Sequence, residues 1–555
     1  MRWSPIVLVV LMVLAVWYRA HTFGPDVRAL TGVDLWPRTV GASEPLDCDE
    51  AAYAYMGHRV LRGDALYRDL TEYKPPLGYW IYTAAVAIGG YRELAIRLMA
   101  IPFVLGTIAA VWWVAGRLGG PVAACVAAFL YLLLSTDPFV FGNGSNMEHF
   151  LNWFAVLTLE MTIRGLDRND RRWLFGAGVA LGASALVKQV ALAQAVVIVP
   201  ALLLGRRASG RDDAPRGLRR SIVDVLVLGS GTALIAGVAL AVVIARGAGP
   251  AAYQDIVLQA RALATDTLPD PNQPSSAVRW LTGNADPKGN LPSPFGTTDY
   301  YVWWATGTWP LWLASAPALI YLMIGRGSDS RRRLTAGWTL AAWLQVILPG
   351  LYWPHYYLLP TPGVAIAVAV ALADAIGSVR LSPRRHWAAG LTALLLAVAV
   401  AGTTALQARD YLTVAPAELT RRYKGGGQWI VLRQIGRDLR RRCAAMDHPE
   451  LYVWGWQSPL HFYSGLDSPT RHFFVDNLLR DLADRDHPLI GPRVAEIIET
   501  LRSHPPELIF TGYPPFSALR AFLPAHYRRT RLPGLWVRAD VYDRFEAPAS
   551  AMIAR

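Results

Sequence analysis

DCDEAAYAYMGHRVLRGDALYRDLTEYKPPLGYW, residues 47–80, sets three carboxylates (Asp47, Asp49 and Glu50), a series of tyrosines and the motif Lys74-Pro75-Pro76 in one polar stretch between apolar regions. Tyr53, Met56, Val60 and Leu61 recur at helical spacing, which reads as an amphipathic helix lying along a membrane surface and ended by Gly63. Asp47 followed by Glu50 has the D-x-x-E form of a capping box, in which Asp47 accepts from a first-turn amide. Asp49 falls outside that arrangement. It is either a solvated acid or a general base, and three carboxylates at a membrane surface exceed what one cap needs, which favours the base. Lys74 either snorkels beside helix-breaking prolines or is held by them, on a rigid extended turn, where a lipid phosphate lies.

The rest of the chain explains why a membrane is at issue. Of 555 residues, 53% are hydrophobic and only 17% charged, against about 25% charged in a typical soluble domain. That excludes a disordered chain or a fibre and disfavours an ordinary cytosolic enzyme. Apolar runs fall at roughly 3–20, 96–116, 121–137, 148–163, 173–188, 190–204, 221–245, 303–324, 334–350, 356–377 and 387–405, as expected of membrane-spanning helices. The net charge of +13 does not mark a nucleic-acid binder. Its arginines cluster in the short loops 164–172, 205–220, 325–333 and 378–385, where they act as topology signals. The alternating loops, 141–147, the apex at Lys188, 247–302 and 352–355, are far poorer in cations. All four basic loops share one side only if residues 77–90 form an in-plane or re-entrant segment. The expected architecture is therefore a mainly α, polytopic protein of about eleven spans in a plasma or inner membrane, with a cytoplasmic N-terminus and the C-terminal region outside. No A-x-A-like site follows the first apolar run, so residues 1–20 read as a retained span rather than a cleaved signal.

Two units follow: residues 1–406 in the membrane, with external loops at 21–95 and 247–302, and a small extracytoplasmic α/β domain at 407–555. In the latter, residues 451–456 and 507–512 read as buried strands, with amphipathic helices at 428–442 and 492–503. Cys48, Cys125 and Cys443 are too few for a disulfide framework and lack metal-ligand spacing. No phosphate-cradling Walker motif occurs, and ionisable residues keep to span ends, unlike those of many pumps and transporters.

Further candidates lie on the outer face. Glu148 either sits at a helix N-terminus, favoured by the dipole, or adds a second acid to a site shared with Asp49. His355, Tyr356 and Tyr357 either form an interfacial aromatic belt or line a lipid-phosphate pocket. Lys188 has the same two readings, with snorkelling preferred.

These stretches together resemble a family. Asp49-Glu50, Tyr53, Gly63, Tyr67, Lys74-Pro75-Pro76-Leu77, Tyr79-Trp80 and Arg97-Leu98, followed by Asn146 to Glu148 and HYYLLPTPG (355–363), look like the protein O-mannosyltransferase and lipid A aminoarabinose transferase superfamily, in particular its bacterial branch. The likeness spans about residues 1–405. It implies the GT-C glycosyltransferase fold and transfer of a sugar from a polyprenyl-phosphate donor to an extracytoplasmic glycan, lipid or protein, with no nucleic acid involved. It further implies Asp49 as catalytic base, Lys74 at the donor phosphate and Glu148 supporting the site from the second external loop. Beside these, the residues themselves lead us to expect Glu50 among the catalytic acids, Arg97, Tyr73, His355 and Tyr356 with Lys74 around the donor phosphate and lipid, and Asp47, Tyr53 and Lys188 supporting the site or meeting the acceptor. A single base with direct displacement implies inversion at the anomeric carbon. No cofactor is expected; a divalent metal on Asp47, Asp49 and Glu50 is compatible with the residues, but a lysine can replace it. A transporter of a lipid-linked or amphiphilic solute, or a scaffold working through its outer domain, stays open as an alternative.

Overall fold

The computed structural model describes residues 4–35, 41–204, 217–266, 307–325, 327–349, 353–381, 386–424 and 426–546. Most of the 247–302 loop, most of the basic loop 205–220, residues 382–385 and Tyr352 lie outside the described residues. Helices α1 (Ser4–Thr31), α2 (Cys48–Leu61), α3 (Leu77–Gly89), α4 (Glu93–Leu134), α5 (Met147–Arg168), α6 (Arg171–Val187), α7 (Ala195–Leu204) and α8 (Leu218–Ala245) form the first part. Helices Trp309–Ile324, Ser330–Ile347, Thr361–Leu381 and His386–Thr413 complete the bundle, the last continuing past residue 406. α4 is two helices end to end: Gly120 takes φ 78°, and Pro121 opens the second half, where its missing N–H costs nothing.

Among the described residues, five helices are long and apolar enough, by length and composition, to cross a membrane: Ser4–Thr31, Glu93–Leu134, Leu218–Ala245, Pro354–Val379 and Trp387–Thr413. Leu234, Val238, Leu240 and Ile244 on α8 are each more than half exposed, a surface suited to lipid rather than water. Inside the bundle, small residues let backbones meet. A Cβ on Gly178 of α6 would fall 1.9 Å from the Leu228 carbonyl oxygen of α8, the close approach that membrane helices use in place of hydrophobic driving force.

Described residues in or beside the basic loops gather at one end of the bundle. Arg331 and Arg117 both reach Asp167, at 2.7 and 3.6 Å, while Arg332 pairs with Asp374 and Arg171 with Asp224. Glu148 lies at the other end of α5 from Asp167, about 30 Å away at 1.5 Å rise per residue.

α2 departs from expectation. It does not lie along a lipid surface: Ala51 to Gly57 are all buried. α3 covers one side, so closely that a Cβ on Gly57 would sit 2.8 Å from the Thr83 amide nitrogen. The C-terminal region covers the other, with the Tyr55 ring stacked on His461 at 4.9 Å and the Tyr55 hydroxyl accepting from Ser468 N. The pattern that suggested an amphipathic helix was the two-sided burial of a helix rich in alanine and tyrosine.

The C-terminal region holds a four-stranded sheet of order β1-β2-β4-β3. β1 (Leu451–Trp454) and β2 (Leu508–Thr511) run parallel; β4 (Leu535–Arg538) is antiparallel to β2, and β3 (Tyr527–Arg529) to β4. Leu451, Val453, Leu508 and Phe510 pack with Trp429, Leu432 and Leu439 on one face. Tyr452, Trp454 and Ile509 pack with Ile497, Leu501 and Leu523 on the other. Burial on both faces explains why β1 and β2 read as continuous apolar runs.

Candidate functional site

The site begins at the N-terminus of α2. Asp47 is its N-cap and accepts from Glu50 N at 2.9 Å, while the Glu50 carboxylate accepts from Asp47 N at 3.1 Å, completing the capping box. Glu50 also pairs with Arg97 at 2.5 Å and accepts from Ser145 N at 2.6 Å; both charged side chains are fully enclosed. Arg97 donates as well to the Pro45 carbonyl. Glu50 and Arg97, expected beside the reacting groups, thus neutralise each other behind the site, where they fix the loop that leads into α5. A buried pair of this kind satisfies its desolvation through extra hydrogen bonds. Burial, together with Glu50 and Asp49, pushes the Asp47 carboxyl up to about 8. The three carboxyls are thus coupled, but Glu50 is taken up by Arg97 and Asp47 by the helix cap. Among the described residues, no group of three or more His, Cys, Asp or Glu is arranged to hold a metal ion.

Asp49, like Asp47, lines a cavity of about 740 Å³ between the bundle and the C-terminal domain. Tyr73, Lys74, His355 and Tyr356 share its wall. The Lys74 ammonium lies 3.4 Å from Glu72, 4.4 Å from the centroid of the Tyr73 ring and 5.2 Å from that of Tyr53, so two aromatic faces and a carboxylate hold one buried cation. Tyr67, in the left-handed region at φ 71°, donates its hydroxyl to the Lys74 carbonyl and its N–H to Leu70, fixing the turn ahead of Pro75-Pro76. Burial alone would raise the Asp49 carboxyl, but Lys74, His355 and Lys188 hold it below the ordinary carboxylate range. Burial opposes the Lys74 charge, while Glu72, Tyr73 and Asp49 outweigh it and hold the ammonium well above its usual value.

Glu148, at the start of α5, forms an ion pair with Lys188. The Lys188 ammonium sits 4.6 Å from the Tyr356 ring centroid. Lys188 does not snorkel: it is buried, and α6 breaks into a 3-10 turn (Gln189–Gln194) directly after it. His355 Nε2 stands 3.7 Å from Asp49 and 3.9 Å from Glu148. Asp49, Lys74, His355, Glu148 and Lys188, drawn from four segments, thus form one connected set of ionisable groups.

A family model described as dolichyl-phosphate-mannose-protein mannosyltransferase matches residues 73–216. ArnT from Cupriavidus metallidurans, in a crystal structure bound to undecaprenyl phosphate, superposes with a TM-score of 0.55 at 16% identity, over 97% of this chain and 98% of that one. Its apo structure gives 0.54 at 16% identity, over 98% of each chain. The archaeal oligosaccharyltransferase AglB from Archaeoglobus fulgidus, in complex with an inhibitory peptide and a dolichol-phosphate, gives 0.52 at 11% identity, over 92% of this chain and 69% of that one. The chain shares their GT-C fold. No curated protein matches it by sequence.

The C-terminal domain supplies cavity residues that the sequence did not single out, among them Arg422, Lys424, Trp429, Trp456, Arg480 and Tyr513. Lys424 is buried, pairs with Glu44 at 3.0 Å and lies 5.5 Å from the Phe141 ring centroid. One signal pointed to it. The chain has only four lysines, and its topology-setting loops use arginine. Lys74, Lys188 and Lys424 all come to this region, and the fourth, Lys288, lies outside the described residues.

Proposed function

We propose that this protein is an integral membrane glycosyltransferase that moves a sugar from a polyprenyl-phosphate donor to an acceptor outside the cytoplasm. The observation that carries the proposal is the Asp49 carboxylate in the cavity wall, held ionised among Lys74, His355 and Lys188. The GT-C fold and the family match over residues 73–216 support it. A donor with a lipid tail needs a site that opens toward the bilayer for the tail and toward water for the acceptor, and a cavity between helices and an outer domain meets both needs.

In the proposed reaction, the acceptor hydroxyl attacks the anomeric carbon as Asp49 takes its proton. The bond from that carbon to the phosphate oxygen breaks, and the polyprenyl phosphate leaves with the electron pair. A positioned base contributes about 10²–10⁴-fold. The Lys74 ammonium faces the charge that grows on the leaving phosphate. Direct displacement inverts the anomeric configuration. Glu148 and Lys188 act through His355, holding Asp49 in place. In this reading the chain crosses the membrane about eleven times, residues 77–90 do not cross, the basic loops lie in the cytoplasm, and the cavity and C-terminal domain lie outside.

Purified protein in lipid nanodiscs, given a panel of polyprenyl-phosphate sugars, tests the proposal. Release of polyprenyl phosphate with loss of sugar from one donor is expected. Movement of an intact lipid-linked sugar across the bilayer without bond cleavage would replace transfer by transport.

A further inference from the structure

We propose that the cavity wall contributed by the C-terminal domain is a binding subsite for a neutral sugar unit, so that the acceptor is a glycan. Calling its ligand the acceptor rests on the transferase reading; the binding of a neutral sugar does not.

Three aromatic rings make a right-angled corner there. Trp353, from the segment before His355, meets Trp456 edge to face at 5.2 Å and 79°, and Trp456 meets Tyr513 at 5.6 Å and 82°. All three line the cavity that holds Asp49 and Lys74, and none is fully buried. A pyranose ring has an apolar C–H face and a hydroxyl rim. Indole and phenol rings match the face, and their polar tips match the rim.

Charge at this wall favours a neutral ligand. Arg422, Lys424 and Arg480 look at first like an anion cradle, but each already has a carboxylate: Glu418 at 3.4 Å, Glu44 at 3.0 Å and Asp481 at 2.8 Å. Asp476, also in the wall, adds negative charge. An incoming phosphate or carboxylate would meet repulsion from these carboxylates. A sugar hydroxyl would not.

Calorimetry on the full chain in nanodiscs tests the proposal, with neutral gluco-, manno- and galacto-oligosaccharides, hexose 6-phosphates and a Ser/Thr-rich peptide as probes. At least one neutral oligosaccharide should bind the wild type. Trp456→Ala should weaken it by about tenfold and Trp456→Phe by far less, as expected for a lost aromatic contact. Tyr513→Ala, which removes another ring of the corner, should weaken it severalfold, so the test survives if Trp456→Ala fails to fold. Binding of none of the oligosaccharides, binding of the peptide or hexose phosphates alone, or oligosaccharide binding unchanged in folded Trp456 and Tyr513 variants would overturn the subsite. Donor cleavage without glycan binding would remove the subsite alone. Glycan binding that depends on Trp456, without donor cleavage, would remove the transferase reading alone.

Discussion

His355 Nε2 lies 3.7 Å from the Asp49 carboxylate, and the same nitrogen lies 3.9 Å from Glu148. One imidazole thereby ties the acid at the start of α2 to the acid at the start of α5. His355 is a positioning residue in this account. His355→Phe is expected to lower kcat by about tenfold or more while changing donor KM little, since proton transfer depends on the base's orientation. His355→Gln, which keeps a polar bridge, should recover part of the loss. Steady-state kinetics on both variants check this, and equal losses in the two would assign the side chain to packing.

Lys74 has two expected effects. Lys74→Met should raise donor KM, because the phosphate loses its cation. It should also move the acid limb of the pH–rate profile upward. Asp49 must be ionised to act, and its carboxyl lies below the ordinary range against the effect of burial, held there by Lys74 with His355 and Lys188. Activity is therefore present above that low value and lost as pH falls through it. Removing Lys74 raises the value, so the loss begins at higher pH. A pH–rate profile in which the two acid limbs coincide would contradict the assignment.

The Glu50–Arg97 pair is a stability element. Arg97→Met leaves a buried carboxylate whose other partners are backbone amides, and breaking such a pair costs about 3–5 kcal/mol. Thermal unfolding in detergent should show a large drop in midpoint. The double variant Glu50→Gln/Arg97→Met should recover part of it, since no charge is then stranded. A fully stable, inactive Arg97→Met would instead return Arg97 to the donor site.

Gly57 marks the tightest contact between α2 and α3. Gly57→Ala drives a methyl group against the Thr83 backbone, which cannot swing aside as a side chain does. Overpacking of this kind costs about 1–3 kcal/mol. The melting midpoint should fall, with lower activity following from displacement of α2 and with it Asp49.

The sequence carried much of this, unevenly. The capping box was legible because it is local: Asp47 and Glu50 stand three residues apart. β1 and β2 were legible because burial on both faces writes an unbroken apolar run, whereas β3, with Arg528 and Arg529 exposed, has no such signature. Asp49 and Lys74 could be singled out from the dense polar stretch 47–80, and Glu148 as an acid at the start of an apolar run. Their partners could not. The Glu50–Arg97 and Glu148–Lys188 pairs join residues far apart in the chain, and nothing local separates a lysine that snorkels from one that folds inward. The fate of α2 was hidden for the same reason. Alanine and tyrosine suit lipid headgroups and a protein interior alike, and the covering Tyr55–His461 contact comes from the far end of the chain.

Asp49→Asn tests the centre of the account most directly. The substitution keeps the size of the side chain, and Asp49 takes no part in the capping box that organises α2. Wild type and variant, matched for melting midpoint, would be incubated in nanodiscs with the polyprenyl-phosphate sugar that the wild type cleaves. The account predicts that transfer falls by at least about 10²-fold, with donor binding retained. Transfer at the wild-type rate would show that the proton goes elsewhere, and would contradict the role assigned to Asp49.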